Sequence, residues 1–309
     1  MRVLFYGTPA FALPTLHALL ERHAVVGVVT QPDRPAGRGQ RPQAPPVKQL
    51  AVERGLPVLQ PPRLRDPEWP ERLGALLPEV AVVVAFGQIL PPRVLAVPRR
   101  GSINVHASLL PRYRGAAPIA WAIIRGERET GVTTFQMDAG MDTGALLLRC
   151  ATPIGPEETA GELAGRLAEL GAALLVETLD RLDTLTPAPQ DEGQVTLAPR
   201  LRKDDGVLGW TRPAAELAAL VRGVNPWPGA TTHGPTGRLA LWRARAVAGS
   251  GEPGILTPCG GGLCVGTGAG LLEPIEVQPE NRRAMAWGAF LRGARLGPGA
   301  CFGAPVESR

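Results

Sequence analysis

Lysine is almost missing from this chain. Lys48 and Lys203 are the only two among 33 basic residues, so arginine carries nearly all the positive charge. With 38 glycines and 33 prolines, this fits a GC-rich coding sequence and says nothing about chemistry. Long apolar runs are missing too. The longest, residues 80–86, is far too short to cross a bilayer. The apolar start at residues 1–6 is broken by Gly7-Thr8-Pro9, and no clean small-residue cleavage site follows, so a secretory signal is not expected. A cytoplasmic protein is the expectation. The four cysteines, Cys150, Cys259, Cys264 and Cys301, lack the paired spacing of a zinc site, and the four histidines are scattered. No metal is expected, and the thiols are expected to be reduced. The first strand-to-helix turn lacks the three spaced glycines of a dinucleotide binder, which argues against a nicotinamide cofactor.

What is present is an alternation of strand and helix through the first half. Short apolar strands are expected at 2–6, 25–30, 58–59, 80–86 and 102–105, with helices from Pro9, over 47–54 and over 68–77. Continuous apolar strands between helices argue for a Rossmann-like α/β fold, a parallel sheet covered on both faces, with the site at the C-terminal strand ends. A long helix is expected over 158–182. Residues 184–194, rich in Pro, Thr, Asp and Gln, have linker composition. Beyond residue 205 five short glycine-broken strands (230–233, 238–248, 254–257, 263–267, 271–277) lie between helices at 213–222 and 285–292. This texture suits a small OB-like β-barrel. The expected division is 1–204, with its linker at about 184–204, and 205–309.

Charge follows that division. Residues 200–309 hold 13 basic against 8 acidic residues, whereas the part before them is balanced, so the whole net charge of +5 lies in the C-terminal third. An anionic macromolecule is one reading and a solvated face the other. Between Glu79 and Glu127 there is no carboxylate, yet six arginines occur: Arg93, Arg99, Arg100, Arg112, Arg114 and Arg125. Again an acidic ligand or a solvated basic face would account for them.

Asn104 and His106 stand two apart at a strand end, so their side chains leave one face. An amide donor beside an imidazole suits acyl transfer: the amide stabilises an oxyanion and the imidazole moves a proton. Satisfying nearby backbone groups is the plainer reading. Asp138 and Asp142 sit in a glycine-flanked turn between two apolar segments. Asp142 is either a turn former or the carboxylate that orients a histidine.

The run NVHASLLPRYRGAAPI followed by TGVTTFQMDAGMDTG resembles the signature of the folate-dependent formyltransferases. The resemblance implies catalytic Asn104, His106 and Asp142, with Ser108, Leu109, Leu110 and Pro111 lining a folate site. It further implies that the backbone around Phe86, Gly87, Ile89 and Leu90 holds the pterin, and that the donor is 10-formyltetrahydrofolate. The basic loop TQPDRPAGRGQRPQAPPVK is similar to one that family members acting on initiator methionyl-tRNA place at the acceptor end. It supplies Arg34, Arg38 and Arg41 as tRNA contacts, with Arg38 as the key arginine. The segment ending NPWPG and the closing FLRG also resemble the C-terminal part of those members, where Arg202 and Lys203 are further phosphate candidates. A monomer is expected. The alternative acceptor is a small amine, such as a nucleotide amino sugar.

Overall fold

The computed structural model describes residues 1–36 and 41–303, which form two compact units. The first unit takes residues 1–118, 129–153 and 164–198; the second takes 119–128, 154–163 and the chain from Pro199. In order, the elements up to residue 198 are β1 (Arg2–Gly7), α1 (Leu13–Arg22), β2 (Ala24–Val29), β3 (Arg34–Ala36), β4 (Arg41–Gln43), α2 (Pro46–Glu53), β5 (Val58–Leu59), α3 (Trp69–Gly74), β6 (Val80–Val84), α4 (Pro92–Leu95), β7 (Ser102–His106), β8 (Arg114–Gly115), α5 (Pro118–Ile124), β9 (Glu129–Gln136), β10 (Leu146–Pro153), α6 (Ala160–Asp180) and β11 (Leu197–Ala198).

Seven strands make the main sheet, in the order β10-β9-β7-β6-β1-β2-β5. β5, β2, β1, β6 and β7 run parallel. β9 and β10 run antiparallel, to β7 and to each other. The five strands expected to make a parallel sheet do so, and β9 and β10 extend that sheet antiparallel at one edge, where strand direction is set by the connection. β9 to β10 is a short turn that can only reverse the chain. In β6 every residue is buried, as are the residues of β1 from Val3 onward, because helices cover both faces. Strand order reverses between β1 and β6, so a crevice opens at their C-terminal ends. Beneath it, Tyr6 meets Phe86 edge-on at 5.4 Å in a core with Trp69, Leu73 and Leu90, and burial pushes the Tyr6 phenol up. The basic loop is more regular than its proline and glycine content suggests, since β3 and β4 pair antiparallel across it.

The second unit adds α7 (Ala214–Gly223), β12 (Ala230–Gly234), β13 (Gly237–Val247), β14 (Leu256–Cys259), β15 (Gly262–Gly266), β16 (Leu271–Pro279), β17 (Met285–Ala286) and α8 (Trp287–Ala294). All five expected strands are present. The ladder runs β12-β13-β16-β15-β14, with β17 on β16. It is open by itself, and the segment 300–303 bridges its two edges: Gly303 pairs with His233 on β12, and Cys301 with Ile255 before β14. Leu217, Leu220, Val221 and Val224 fall on one face of α7 and its end at spacings of three and four, and all are buried against Leu241, Leu256 and Val277. Each such side chain contributes about 1.5–3 kcal/mol. The closing helix begins at Trp287, two residues later than expected, because Met285 and Ala286 extend the sheet.

One expectation is overturned here. Cys259 and Cys264 are disulfide-bonded, not reduced, with Cα atoms 5.9 Å apart. They face each other diagonally across the β14–β15 hairpin, whose register pairs Thr257 with Cys264 and Cys259 with Gly262. Gly260 and Gly261 form the hairpin's two-residue turn, which zinc spacings do not register.

Candidate active site

Asn104 and His106 project from one face of β7, while Ile103 and Val105 are buried against its other side. His106 Nε2 lies 3.0 Å from the Tyr113 carbonyl. A carbonyl only accepts, so the proton sits on Nε2 and is donated there, and Nδ1 is left for the site. Nδ1 stands 3.7 Å from Asp142 Oδ2, with both side chains largely buried. The same Oδ2 accepts the Gly115 N–H at 2.8 Å. Asp142 adopts a left-handed conformation, φ 56°, unusual for a residue with a side chain. Its carbonyl and that of Gly144 accept the two amide hydrogens of Gln190, each at 2.8 Å. Gln190 Oε1 in turn accepts from Nε and Nη2 of buried Arg114, which also pairs with Glu192 at 2.7 Å. That guanidinium holds the Glu192 carboxyl below the usual range. Arg114 is thus committed within the protein and is not a cation awaiting an anionic ligand.

After β7 the chain turns through Ser108, Leu109, Leu110 and Pro111. Ser108 donates its hydroxyl to the Arg112 carbonyl at 2.6 Å, and Thr133 on β9 takes the Leu110 N–H while donating to the Ser108 carbonyl. Ser108, Leu110 and Pro111 are buried and Leu109 is half-buried. The Leu110–Pro111 bond is cis. The Tyr113 N–H goes to Thr196 Oγ1 at 2.8 Å, and the Arg114 N–H to the Thr196 carbonyl. β11 pairs with β8 beside them. Residues 188–198, for all their linker composition, therefore run along the wall of the site.

At the crevice between β1 and β6, Thr8 donates to the Phe86 carbonyl at 2.8 Å, and Gln31 donates to the same oxygen at 3.3 Å. Gln31 accepts from Arg34 at 3.0 Å. Asp33 beside it is fixed by Lys48 and Gln60, and these bonds hold its carboxyl below the usual range. Phe86 and Leu90 are buried, Gly87 turns the chain at φ 86°, and Ile89 is 86% exposed at the mouth. The sequence alone does not single out Thr8, Gln31, Arg114, Gln190 or Thr196 as residues of the site. Only Arg114 gave a signal, as one of six arginines, and its partners lie more than seventy residues away.

Residues 1–179 match the formyl transferase family, and residues 200–295 match the formyl transferase C-terminal domain. Methionyl-tRNA formyltransferases of Citrifermentans bemidjiense and Geobacter sulfurreducens are each 50% identical over 307 residues, covering 98% of this chain and 96% and 97% of theirs. The chain belongs to the methionyl-tRNA formyltransferase family. Among solved structures, WlaRD, a sugar 3N-formyl transferase in the presence of dTDP and 5-N-formyl-THF, matches with a TM-score of 0.68 over 92% of this chain and 99% of that one. At 15% identity it shares the fold. Gln190, Glu192 and Thr196 fall between the two matched segments of this methionyl-tRNA formyltransferase family member.

The remaining candidates are spread out. Arg34 is exposed on β3, Arg38 lies outside the described residues, and of Arg41 only the backbone, in β4, is described. Arg202 and Lys203 are exposed around the 3-10 turn Lys203–Gly206 of the second unit. Trp210 is buried, its Nε1 donating to Thr232 Oγ1 at 3.0 Å, whereas Trp227 is 51% exposed. Among the described residues no group of His, Cys, Asp and Glu is arranged to hold a metal, and no helix is long and apolar enough to cross a membrane. A cavity of about 590 Å³ opens between α1 and α6, lined by Leu13, His17, Glu21 and Glu169, away from all the candidates.

Proposed function

We propose that this protein transfers the formyl group of 10-formyltetrahydrofolate to the amino group of initiator methionyl-tRNA in the cytoplasm, with no metal or nicotinamide. The observation that carries the reading is the pairing of His106 with Asp142 at the end of β7, with Asn104 on the same strand face, in a chain half identical to methionyl-tRNA formyltransferases. The pterin would lie at the β1–β6 crevice against Phe86, Gly87, Ile89 and Leu90, where an exposed isoleucine offers a flat ring an apolar surface. The loop of Ser108, Leu109, Leu110 and Pro111 would form the other side.

A free α-amine titrates near about pH 8, and esterification lowers it, so the acceptor is largely unprotonated at neutral pH. Catalysis then consists of holding the amine against the formyl carbon, stabilising the tetrahedral oxyanion and moving one proton from the attacking nitrogen to the folate nitrogen as the C–N bond to folate breaks. The Asn104 amide donates to the oxyanion. In its neutral form His106 has a lone pair at Nδ1, which takes the amine proton. The Asp142 carboxylate at 3.7 Å stabilises the resulting imidazolium, which returns the proton to the leaving nitrogen. Arg34, Arg38 and Arg41 would meet the acceptor end, and Arg202 and Lys203 the phosphates, from a C-terminal part beginning near residue 205 in a monomer. A guanidinium suits both phosphate and unpaired bases.

The test is formyl transfer from 10-formyltetrahydrofolate to methionyl-tRNA, with uncharged tRNA and free methionine as controls. Product on charged initiator tRNA alone is expected. Transfer to a nucleotide amino sugar instead would move the acceptor, and no transfer to any amine would overturn the enzyme reading.

A further inference from the structure

We infer that Gln190 is a positioning residue for the reacting carboxylate: anchored on Arg114, it sets the Asp142 turn so that Oδ2 faces His106. The inference rests on the reading of Asp142 as a reacting group. It starts from a complete hydrogen-bond inventory. A glutamine amide has two donor hydrogens and one oxygen with two lone pairs. Here one hydrogen goes to the Asp142 carbonyl and one to the Gly144 carbonyl, while both lone pairs go to the Arg114 guanidinium at 3.1 and 2.9 Å. Turned over, the amide would set its oxygen against two carbonyls and its NH2 against a cation, so only one orientation fits. Arg114 is 5% exposed and its remaining bonds go to Glu192, so the anchor is itself fixed.

What the amide grips is the backbone of the reacting residue. Asp142 holds φ 56°, a conformation that persists in a residue with a side chain only when its surroundings over-determine it. Within the turn, Asp138 accepts from the Gly140 N–H and from the Thr143 hydroxyl. From outside it, Gln190 holds the carbonyls on either side of Thr143, those of Asp142 and Gly144. On the opposite side the Gly115 N–H fixes the carboxylate. Backbone and side chain of Asp142 are thus held by Gln190 and by Gly115, which is the residue next to Arg114. A misplacement of about 1 Å at a reacting group costs on the order of a hundredfold in rate.

The experiment uses the full-length enzyme and the formyl-transfer assay, with wild-type turnover established first. Gln190→Ala removes the grip. Gln190→Glu keeps the length and the bond to Arg114 but presents no hydrogen to the two carbonyls. Both are expected to lower kcat by about tenfold to a hundredfold, with KM for folate and for tRNA within about twofold of wild type. In the nitrogen-edited NMR spectrum of the four histidine rings, the His106 signals should move in both variants, and those of His17, His23 and His233 should stay. Restored kcat in Gln190→Glu, unchanged kcat in Gln190→Ala, or an unmoved His106 signal in a folded variant would each overturn the inference. If Gln190→Ala melts below the assay temperature, Gln190→Glu alone decides. Absence of wild-type turnover would sink the functional reading instead, and the ring spectrum would still report whether Gln190 orients the turn.

Discussion

His106 faces Asp142 with Nδ1, at 3.7 Å, while its Nε2 is spent on the Tyr113 carbonyl. One ring nitrogen is structural and the other is available to substrate. In the proposed mechanism the carboxylate acts through its charge as well as its shape, and the two are separable. Asp142→Asn keeps an oxygen for the Gly115 N–H and removes the charge. Turnover should fall by about a hundredfold or more while tRNA affinity stays close to wild type. Single-turnover transfer beside a filter-binding titration checks this, and an undiminished rate would remove Asp142 from the reaction.

In the proposed mechanism Asn104 is the uncharged donor. Asn104→Ala should cost about 10² to 10³ in kcat with KM little changed, as for loss of one oxyanion donor. A rise in KM with kcat preserved would make Asn104 a binding residue instead.

Gly115 is required for space and for conformation. Its φ is 124°, and an added Cβ would stand 2.6 Å from the Ala198 carbonyl oxygen. Gly115→Ala should lower stability by about 1–3 kcal/mol and reduce activity as well, because the Gly115 N–H holds Asp142. Urea unfolding followed by tryptophan fluorescence measures the first, and a midpoint equal to wild type would show that β8 and β11 have room to part.

Glu162 makes a capping box with Thr159 at the start of α6, accepting from its N–H and hydroxyl, and also pairs with Arg243. The Thr159 backbone bond first, then Arg243 and the Thr159 hydroxyl, bring its carboxyl down from 4.5 to about 2. A folded-state value below the unfolded one adds stability that is complete above about pH 4.5 and is lost as pH falls toward about 2. The melting temperature of wild type should exceed that of Glu162→Gln near neutral pH, and the gap should close across that acid window. A gap that is constant with pH would place the effect outside this carboxylate.

Arg38 was singled out by sequence alone. Arg38→Ala should raise KM for methionyl-tRNA by about tenfold and leave folate binding as it is. Initial rates across a tRNA series settle it, an unchanged curve being the contrary result.

How much of this was legible beforehand depended on the kind of signal. The parallel strands, the five C-terminal strands and the α7 face were readable because burial imposes a period on the sequence. Asn104 and His106 were readable as a pair because a strand alternates its side chains. Asp142 carries two readings in the sequence, a turn former or a carboxylate beside a histidine, and only the fold brings it to 3.7 Å from His106. Gln190 and Thr196 act by hydrogen bonds to backbone far away in the chain, and neither composition nor periodicity records such a bond. Their neighbourhood of Pro, Asp and Gln has the composition of a linker for the same reason. The cysteine pair was hidden by a comparison with metal spacings, when the hairpin register was the relevant geometry.

The bonds from residues 190, 196 and 198 to residues 113–117, 142 and 144 also set an order of events during synthesis. A ribosome makes Asn104, His106 and Asp142 well before it reaches the residues that hold them. A nascent chain that has emerged only to the end of α6 carries all three of the proposed reacting residues and lacks the bonds that residues 190 and 196 make to Asp142 and Tyr113. On the proposed reading the centre is completed only once residue 198 has cleared the exit tunnel, so newly made chains would gain their chemistry late.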